Sequence, residues 1–528
     1  MSTLTGTWSL VRLALRRDRI RLPVWVLAIL ALVHYSASAV QDLYTTQADL
    51  DAYARVLGSS PAVVAMSGPA VAVDTIGGVT VYEVGVTALV ATALMAAFMV
   101  VRHTRAEEEA GRTELVRAAV VGRHAPVSAA LIVTGGACLL VGAGTAGSML
   151  SQGLGTAGSL VFGASVGALG LVMATVAAVA AQVTEHSRGA TGIAASALAA
   201  AFVVRALGDV TGSGLSWASP IGWSQSVHAF GGNRWWPLVV SLAAAGLLTV
   251  GALALVDRRD VGAGLVAARP GAPEASPRLA GPVGLTARLQ RGALAGWTLG
   301  ILLGGIAFGS VSREVRSLVA DNPELAQSLG TSAADEVENA FLALATLLLA
   351  LIGAGFTIQS ALRLRTEETS GRAEALLATG LSRRRWALGS LLVTAVGSAV
   401  VTGAGGLGMG LALAATSGDA SQVPRMVGLT LTYLPAALVL VGFSLLLIGW
   451  LPRVTALAWA LLGVCFVVAW LGNLLDIPRV VELASPFSHV PAAPTEAVTV
   501  GPLLWLVAIA VCLGVAGITG LRRRDLAT

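Results

Sequence analysis

The sequence predicts an all-α polytopic membrane protein with twelve transmembrane helices arranged as two parallel six-helix repeats, and three observations predict it. The first is composition: 528 residues that are 55% hydrophobic and 12% charged, with a mean hydropathy of +0.79, hold too few charges for a soluble globule. The second is a recurrence of apolar runs long enough to cross a bilayer, separated by short Arg-bearing segments. The third is an internal repeat. The run RAEEEAGRTELVRAAVVGR, from Arg105 to Arg123, returns without a gap as RTEETSGRAEALLATGLSR, from Arg365 to Arg383. Arg105, Glu107, Glu108, Gly111, Arg112, Glu114, Ala118 and Arg123 coincide with Arg365, Glu367, Glu368, Gly371, Arg372, Glu374, Ala378 and Arg383. In a chain dominated by Ala, Leu, Val and Gly, charged identities at one offset mark a duplication.

The elements follow in order. Residues 1–21 carry Arg12, Arg16, Arg17, Arg19 and Arg21 among Trp8, Leu10, Val11 and Leu13, a pattern for an interfacial amphipathic helix or a plain basic flank. The first span is expected over 23–40. Its end, Ala37-Ser38-Ala39, imitates a signal-peptidase site. However, Arg16, Arg19 and Trp25 have counterparts in Arg288, Arg291 and Trp297, so the span is read as retained. A polar segment over 41–78, broken at Pro61 and Pro69, is expected outside the membrane. Further spans are expected over 79–101, 126–149, 158–183, 189–207 and 237–256. They close a first half over 22–260.

Residues 261–285, with Pro270, Pro273, Pro277 and Pro282, read as a cytoplasmic linker. The second half, 286–528, predicts spans over 292–310, 340–361, 387–415, 426–449, 454–474 and 500–520. Its closing Arg522-Arg523-Arg524-Asp525 echoes Asp257-Arg258-Arg259-Asp260, while Ala218-Ser219-Pro220 and Leu207-Gly208-Asp209 match Ala484-Ser485-Pro486 and Leu471-Gly472-Asn473. Placing both termini in the cytoplasm puts most arginines inside. An even number of spans per half makes the repeats parallel, about an axis along the membrane normal.

All 34 basic residues are Arg. With no Lys, the chain cannot build a phosphate-binding loop of the Walker A kind. The basicity lies in short loops and reads as orientation, not nucleic-acid binding. Cys138, Cys465 and Cys512 sit in apolar runs with no metal or disulfide spacing, and no protease, hydrolase or zinc motif is present. Acidic residues in 41–56 would have to serve a membrane-embedded transferase. Ionisable groups inside spans are scarce, which speaks against a proton-coupled antiporter. The pairs Arg205–Asp209 and Asp476–Arg479 read as local salt bridges at helix ends. Trp217, Trp223, Phe230, Trp235 and Trp236 read as an aromatic belt, and the glycine run around Thr402–Gly410 as close helix packing. Gln359, Ser360, Thr430 and Tyr433 are candidate pathway residues, with helix–helix hydrogen bonding as their alternative use.

The repeated unit carries the functional reading. Arg105, Glu108 and Arg112 alternate in charge at helical spacing, pairing Glu108 with Arg112. Leu115, Val116, Ala119 and Val120 form an apolar stripe, and Gly111 breaks the helix. A loop that only joins two spans has little reason to be held in duplicate, so the unit predicts a docking element.

Here the chain resembles the membrane subunits of ATP-binding cassette exporters, specifically type-2 permeases in the long fused actinobacterial form described as polyketide-antibiotic or multidrug exporters. The likeness rests on two six-span halves, an amphipathic N-terminus and a Glu-Glu-x-x-Gly-Arg-x-Glu unit between the second and third spans of each half. It implies that Glu107–Arg123 and Glu367–Arg385 hold coupling helices seated on two copies of a separate ATPase subunit. That partner would bind ATP and Mg, and this chain would bind no cofactor. It also implies short external helices over 208–236 and 473–499 and export of hydrophobic drugs, antibiotics or lipid-like molecules across the cell membrane by alternating access. On this reading the partner receives Glu108 and the Leu115 stripe. A major-facilitator antiporter is the alternative; the Gly-Asp-Arg-Gly-Arg signature of that family is missing between the second and third spans.

Overall fold

The computed structural model describes residues 2–57, 61–260, 262–266, 274, 276–279, 281–320, 334–471 and 479–525. Every regular element among them is helical, as the composition requires: in lipid a helix satisfies its own backbone polar groups. Among the described residues eleven helical stretches are long and apolar enough to cross a membrane, and the chain divides into two compact units, Met1–Gly271 and Ala272–Thr528.

The first unit contains α1 (Thr7–Arg17), α2 (Arg21–Leu43), α3 (Gln47–Leu57), α4 (Pro61–Ser67) and α5 (Ile76–His103). It continues with α6 (Arg105–Glu109), α7 (Arg112–Arg117), α8 (Ala125–Ser151), α9 (Thr156–Val183), α10 (Ser187–Thr211), α11 (Pro220–Gln225) and α12 (Trp236–Asp257). Its core is mainly apolar. Leu89, Met95, Phe162, Leu169 and Met173, from α5 and α9, are all buried in one cluster. Thr75 starts α5 by accepting a hydrogen bond from the Gly78 amide at 3.1 Å, as an N-cap residue does. Where α8 meets α9, a Cβ on Gly163 would lie 2.3 Å from the Gly142 carbonyl oxygen, so glycine is what lets these backbones touch.

The second unit contains α13 (Pro282–Ala320), α14 (Ala334–Ala361), α15 (Arg363–Thr369), α16 (Arg372–Leu377) and α17 (Arg383–Ser417). It closes with α18 (Gln422–Leu431), α19 (Leu434–Trp450), α20 (Leu457–Leu471), α21 (Arg479–Ala484) and α22 (Val500–Arg523). The glycine run packs as expected. Cβ atoms on Gly406 and Gly408 would fall 2.4 Å from the Met426 oxygen and 2.1 Å from the Leu302 oxygen.

The eleventh span, expected over 454–474, is described over Leu457–Leu471, the 15-residue α20, and its remaining positions, 472–474, lie outside the described residues. Among the described residues the other eleven expected spans are long and apolar enough to cross a membrane. The tenth span runs over 422–450 and carries the interruption expected there: α18 and α19 part at Thr432-Tyr433, because Pro435 restricts the residue before it and supplies no amide. Finally, α13 begins at Pro282, inside the expected linker, since Pro suits the first turn of a helix.

The segments expected to hold short helices do so where described. Ser219 caps α11 in the first unit, and a 3₁₀ turn, Pro486–His489, follows Ser485 in the second. Leu471-Gly472-Asn473 as a match and the Asp476–Arg479 pair fall outside the described residues.

Candidate functional site

Each repeated unit is a short helix, a left-handed glycine and a second short helix. Gly111 and Gly371 have φ of 69° and 72°, a conformation glycine adopts without penalty. The turn ends α6 and α15 and redirects the chain into α7 and α16. In the first unit the long amphipathic stripe does not form: α7 ends at Arg117. Leu115 is 76% exposed and Val120 is also exposed.

The charged positions do something other than expected. Because Gly111 breaks the helix, Glu108 and Arg112 are not one turn apart and do not pair. Arg112 instead forks onto Glu107, Nε donating to Oε2 at 2.7 Å and Nη2 to Oε1 at 2.8 Å. That bond raises the Arg112 guanidinium above its ordinary pKa. Glu108 turns inward and its side chain is 11% exposed. It accepts from the fully buried Arg105 at 2.8 Å and, through both oxygens, from Arg259 at 2.6 and 2.9 Å. Arg105 also donates to the carbonyls of Ala181, at the end of α9, and Ala263. Arg259 reaches Gln182 at 2.6 Å.

The second unit repeats this triad. Glu368, 2% exposed, is ion-paired with Arg365 at 2.9 Å and takes both guanidinium nitrogens of Arg524 at 2.5 and 2.7 Å.

A second tie closes each loop. Arg123 donates to the carbonyls of Val256 and Arg259 at 3.0 and 2.8 Å. Arg383 donates to those of Leu521 and Arg524 at 3.4 and 2.7 Å. In both units the accepting carbonyls are at the C-terminal end of the last long helix, where intrahelical partners run out and a cation also meets the negative end of the dipole. The loop between the second and third long helices is thus clamped at entry and exit to the end of the last one. Sequence spacing did not single out Arg259 and Arg524 as partners, although both belong to the closing Arg motif of their half.

Around the clamps the units differ. Glu107 also takes Arg17 of α1 at 2.6 Å. The amides of Gly122 and His124 donate to the carbonyls of Thr5 and Thr3 at 2.9 and 3.0 Å, pinning the N-terminal segment to the loop exit. Glu367 instead accepts from Arg363 at 3.1 Å and Trp386 at 3.3 Å. Glu114, Arg372 and Glu374 are exposed beside the turns.

The pathway candidates all make hydrogen bonds or ring contacts within their own unit. Ser360 donates to Gln290 and shares a hydrogen bond with Thr394 at 2.7 Å. Gln359 accepts from Trp297 at 2.7 Å and borders a groove of about 540 Å³ with Gly296, Gly300 and Phe308. Thr430 bonds back to its own helix, and buried Tyr433 stacks on Phe487. Arg205 and Asp209 meet at 3.4 Å, and Arg205 also holds the Met66 carbonyl at 3.1 Å. Of the aromatic belt, Trp217 stacks on Trp236 at 4.9 Å.

Many apolar helices, with most charges in loops and near helix ends, define a multi-pass membrane protein. Comparison with known proteins gives its family. The family described as Multidrug efflux system permease Rv1217c, C-terminal domain, matches residues 9–255 and 279–522. The Multidrug efflux system permease protein Rv1217c of Mycobacterium tuberculosis (strain ATCC 25618 / H37Rv) is 41% identical over 99% of this chain and 96% of its own length. The chain belongs to this family of multidrug efflux permeases: it is a transport protein, the membrane part of an efflux system.

Proposed function

We propose that this permease is the membrane subunit of an ATP-binding cassette exporter, and that α7 and α16 dock two copies of a separate ATPase that binds ATP and Mg. The observation that carries the reading is the double clamp. A force applied to either short helix has a direct polar route, through Glu108 or Glu368 and through Arg123 or Arg383, into the last long helix of the same unit. Both termini and both loops then lie in the cytoplasm, and ATP-driven closure of the ATPase pair turns the permease outward. The cargo on this reading is a hydrophobic drug, antibiotic or lipid-like molecule reached from the bilayer.

The docking surface is narrower than the repeat. Glu108 and Glu368 are occupied inside their own units, so the faces left for a partner are the exposed turns: Gly111, Arg112, Glu114 and Leu115, and Gly371, Arg372 and Glu374. Charge reversal at Glu108 would break the clamp before it tested docking.

Leu115→Asp is the cleaner test, because an exposed substitution costs the fold within about 0.5 kcal/mol. Co-expressed with its ATPase, this variant is expected to insert normally, co-purify with less ATPase and lose vanadate-sensitive drug efflux. Undiminished ATPase recovery and efflux would overturn the docking role, and efflux that survives vanadate but stops when the proton gradient collapses would return the antiporter.

A further inference from the structure

The far end of α5 from the clamp holds a second polar constellation. Glu83 is the single carboxylate of α5 and lies seven residues after Ile76, about 10 Å along the helix. A carboxylate at that depth is costly and usually marks a working site. Here it is exposed, and its bonded partner is a hydroxyl, not a cation: Tyr53 of α3 donates to Oε1. Among the described residues no arginine stands within ion-pair distance of it.

Tyr44, just past the end of α2, packs its ring 5.0 Å from that of Tyr53 at 50°. Tyr82, 5% exposed, is buried in the same apolar cluster with Val40 and Leu50. Three of the chain's five tyrosines are therefore gathered beside one carboxylate that has no cationic partner among the described residues. Burial and Glu83 together push the Tyr53 pKa up, so its proton stays in place to be donated.

A carboxylate that lacks a counter-ion, beside tilted aromatic rings in apolar surroundings, is the chemistry that recognises a desolvated organic cation: charge pairing on one side, ring faces on the other. We propose that Glu83, Tyr53 and Tyr44 form a binding site for lipophilic organic cations, with Tyr82 as its buried wall. The inference deepens the efflux reading above, on which it rests, by naming a substrate class.

The test uses the purified full-length permease without ATPase, titrated calorimetrically with tetraphenylphosphonium and with neutral triphenylphosphine oxide. Wild type is expected to bind the cation more tightly than the neutral probe. Glu83→Gln keeps an acceptor for Tyr53, and is expected to weaken the cation about tenfold while leaving the neutral probe unchanged. Tyr44→Leu is expected to weaken the cation by several-fold and serves if Glu83→Gln does not fold. Equal affinity of wild type for both probes, or unchanged cation affinity in the folded variants, would overturn the proposal. Because no ATPase is present, that failure would leave the docking reading standing, and loss of docking would leave cation binding intact.

Discussion

The two repeated loops share their anchorage and differ in their surroundings. Both close the same Arg–Glu–Arg triad and present the same pair of helix-end carbonyls. The loop residues keep an offset of 260 and their partners an offset of 265. Yet the first loop is also gripped by the N-terminal segment through Thr3, Thr5 and Arg17, whereas the charge at Glu367 is absorbed by Arg363 and Trp386 within its own unit. The constant part is the link from loop to last helix, which is what a mechanical coupler must preserve. The variable part is the surrounding surface, so two identical ATPase subunits would meet unequal seats. Leu115, exposed in the first loop, corresponds to Ala375 in the second.

The comparison is broken hardest at the triad. Removing one member of a buried ion-pair network leaves the others charged and dry, at about 3–5 kcal/mol. Glu108→Gln and Glu368→Gln each strand two guanidinium groups and are expected to lower the thermal stability of the detergent-purified permease on that scale. Glu368→Gln is expected to do so more, its side chain being 2% exposed against 11%. If one variant falls and the other is silent, the clamps are not equivalent and the symmetric half of the comparison fails.

The next effect is smaller and tests the turns. An added Cβ at Gly111 or Gly371 meets nothing within 4 Å, so alanine there costs only its left-handed backbone, about 1 kcal/mol. The two variants should shift the unfolding midpoint alike. Gly122→Ala is expected to separate the units, because its Cβ would lie 2.1 Å from the Thr3 oxygen, and Ser382 stands at the equivalent place in the second loop. Release of the N-terminal segment, seen as faster tryptic cleavage there, is the readout.

What the sequence made legible follows from range. Span positions were visible because a hydrophobic run in lipid specifies its own helix: α8 covers Ala125–Ser151 against an expected 126–149, and α9 covers Thr156–Val183 against 158–183. The glycine break at 111 was visible for the same local reason. Of the partners of Glu108, Arg105 was visible three residues before it, and Arg259 was not. Helical spacing also offered Arg112, but the glycine that ends the helix cancels that spacing, and the second partner, Arg259, is supplied by the packing of α12 151 residues away. The clue was a second echo, the Arg-rich close of each half, which read as an orientation signal until Arg259 and Arg524 were found on the two glutamates. One acid in a span reads as scarcity, and two of the tyrosines that give Glu83 its meaning, Tyr44 and Tyr53, come from outside that span.

The finest test of the asymmetry is the contact between Arg17 and Glu107. Arg17 is about a third exposed, so its ion pair is worth only ~0.2–1 kcal/mol, and Glu107 keeps Arg112 when Arg17 is lost. Arg17→Ala should therefore barely move global unfolding while raising the tryptic sensitivity of α1. In a double-mutant cycle with Glu107→Gln, the pair is expected to couple by a few tenths of a kcal/mol, whereas Arg17 and Glu367 should add independently. A zero coupling with α1 fully protected would mean that its buried Val11 and Ala14 and the backbone bonds at Thr3 and Thr5 hold it unaided. The asymmetry between the loops would then be one of packing, with charge taking no part.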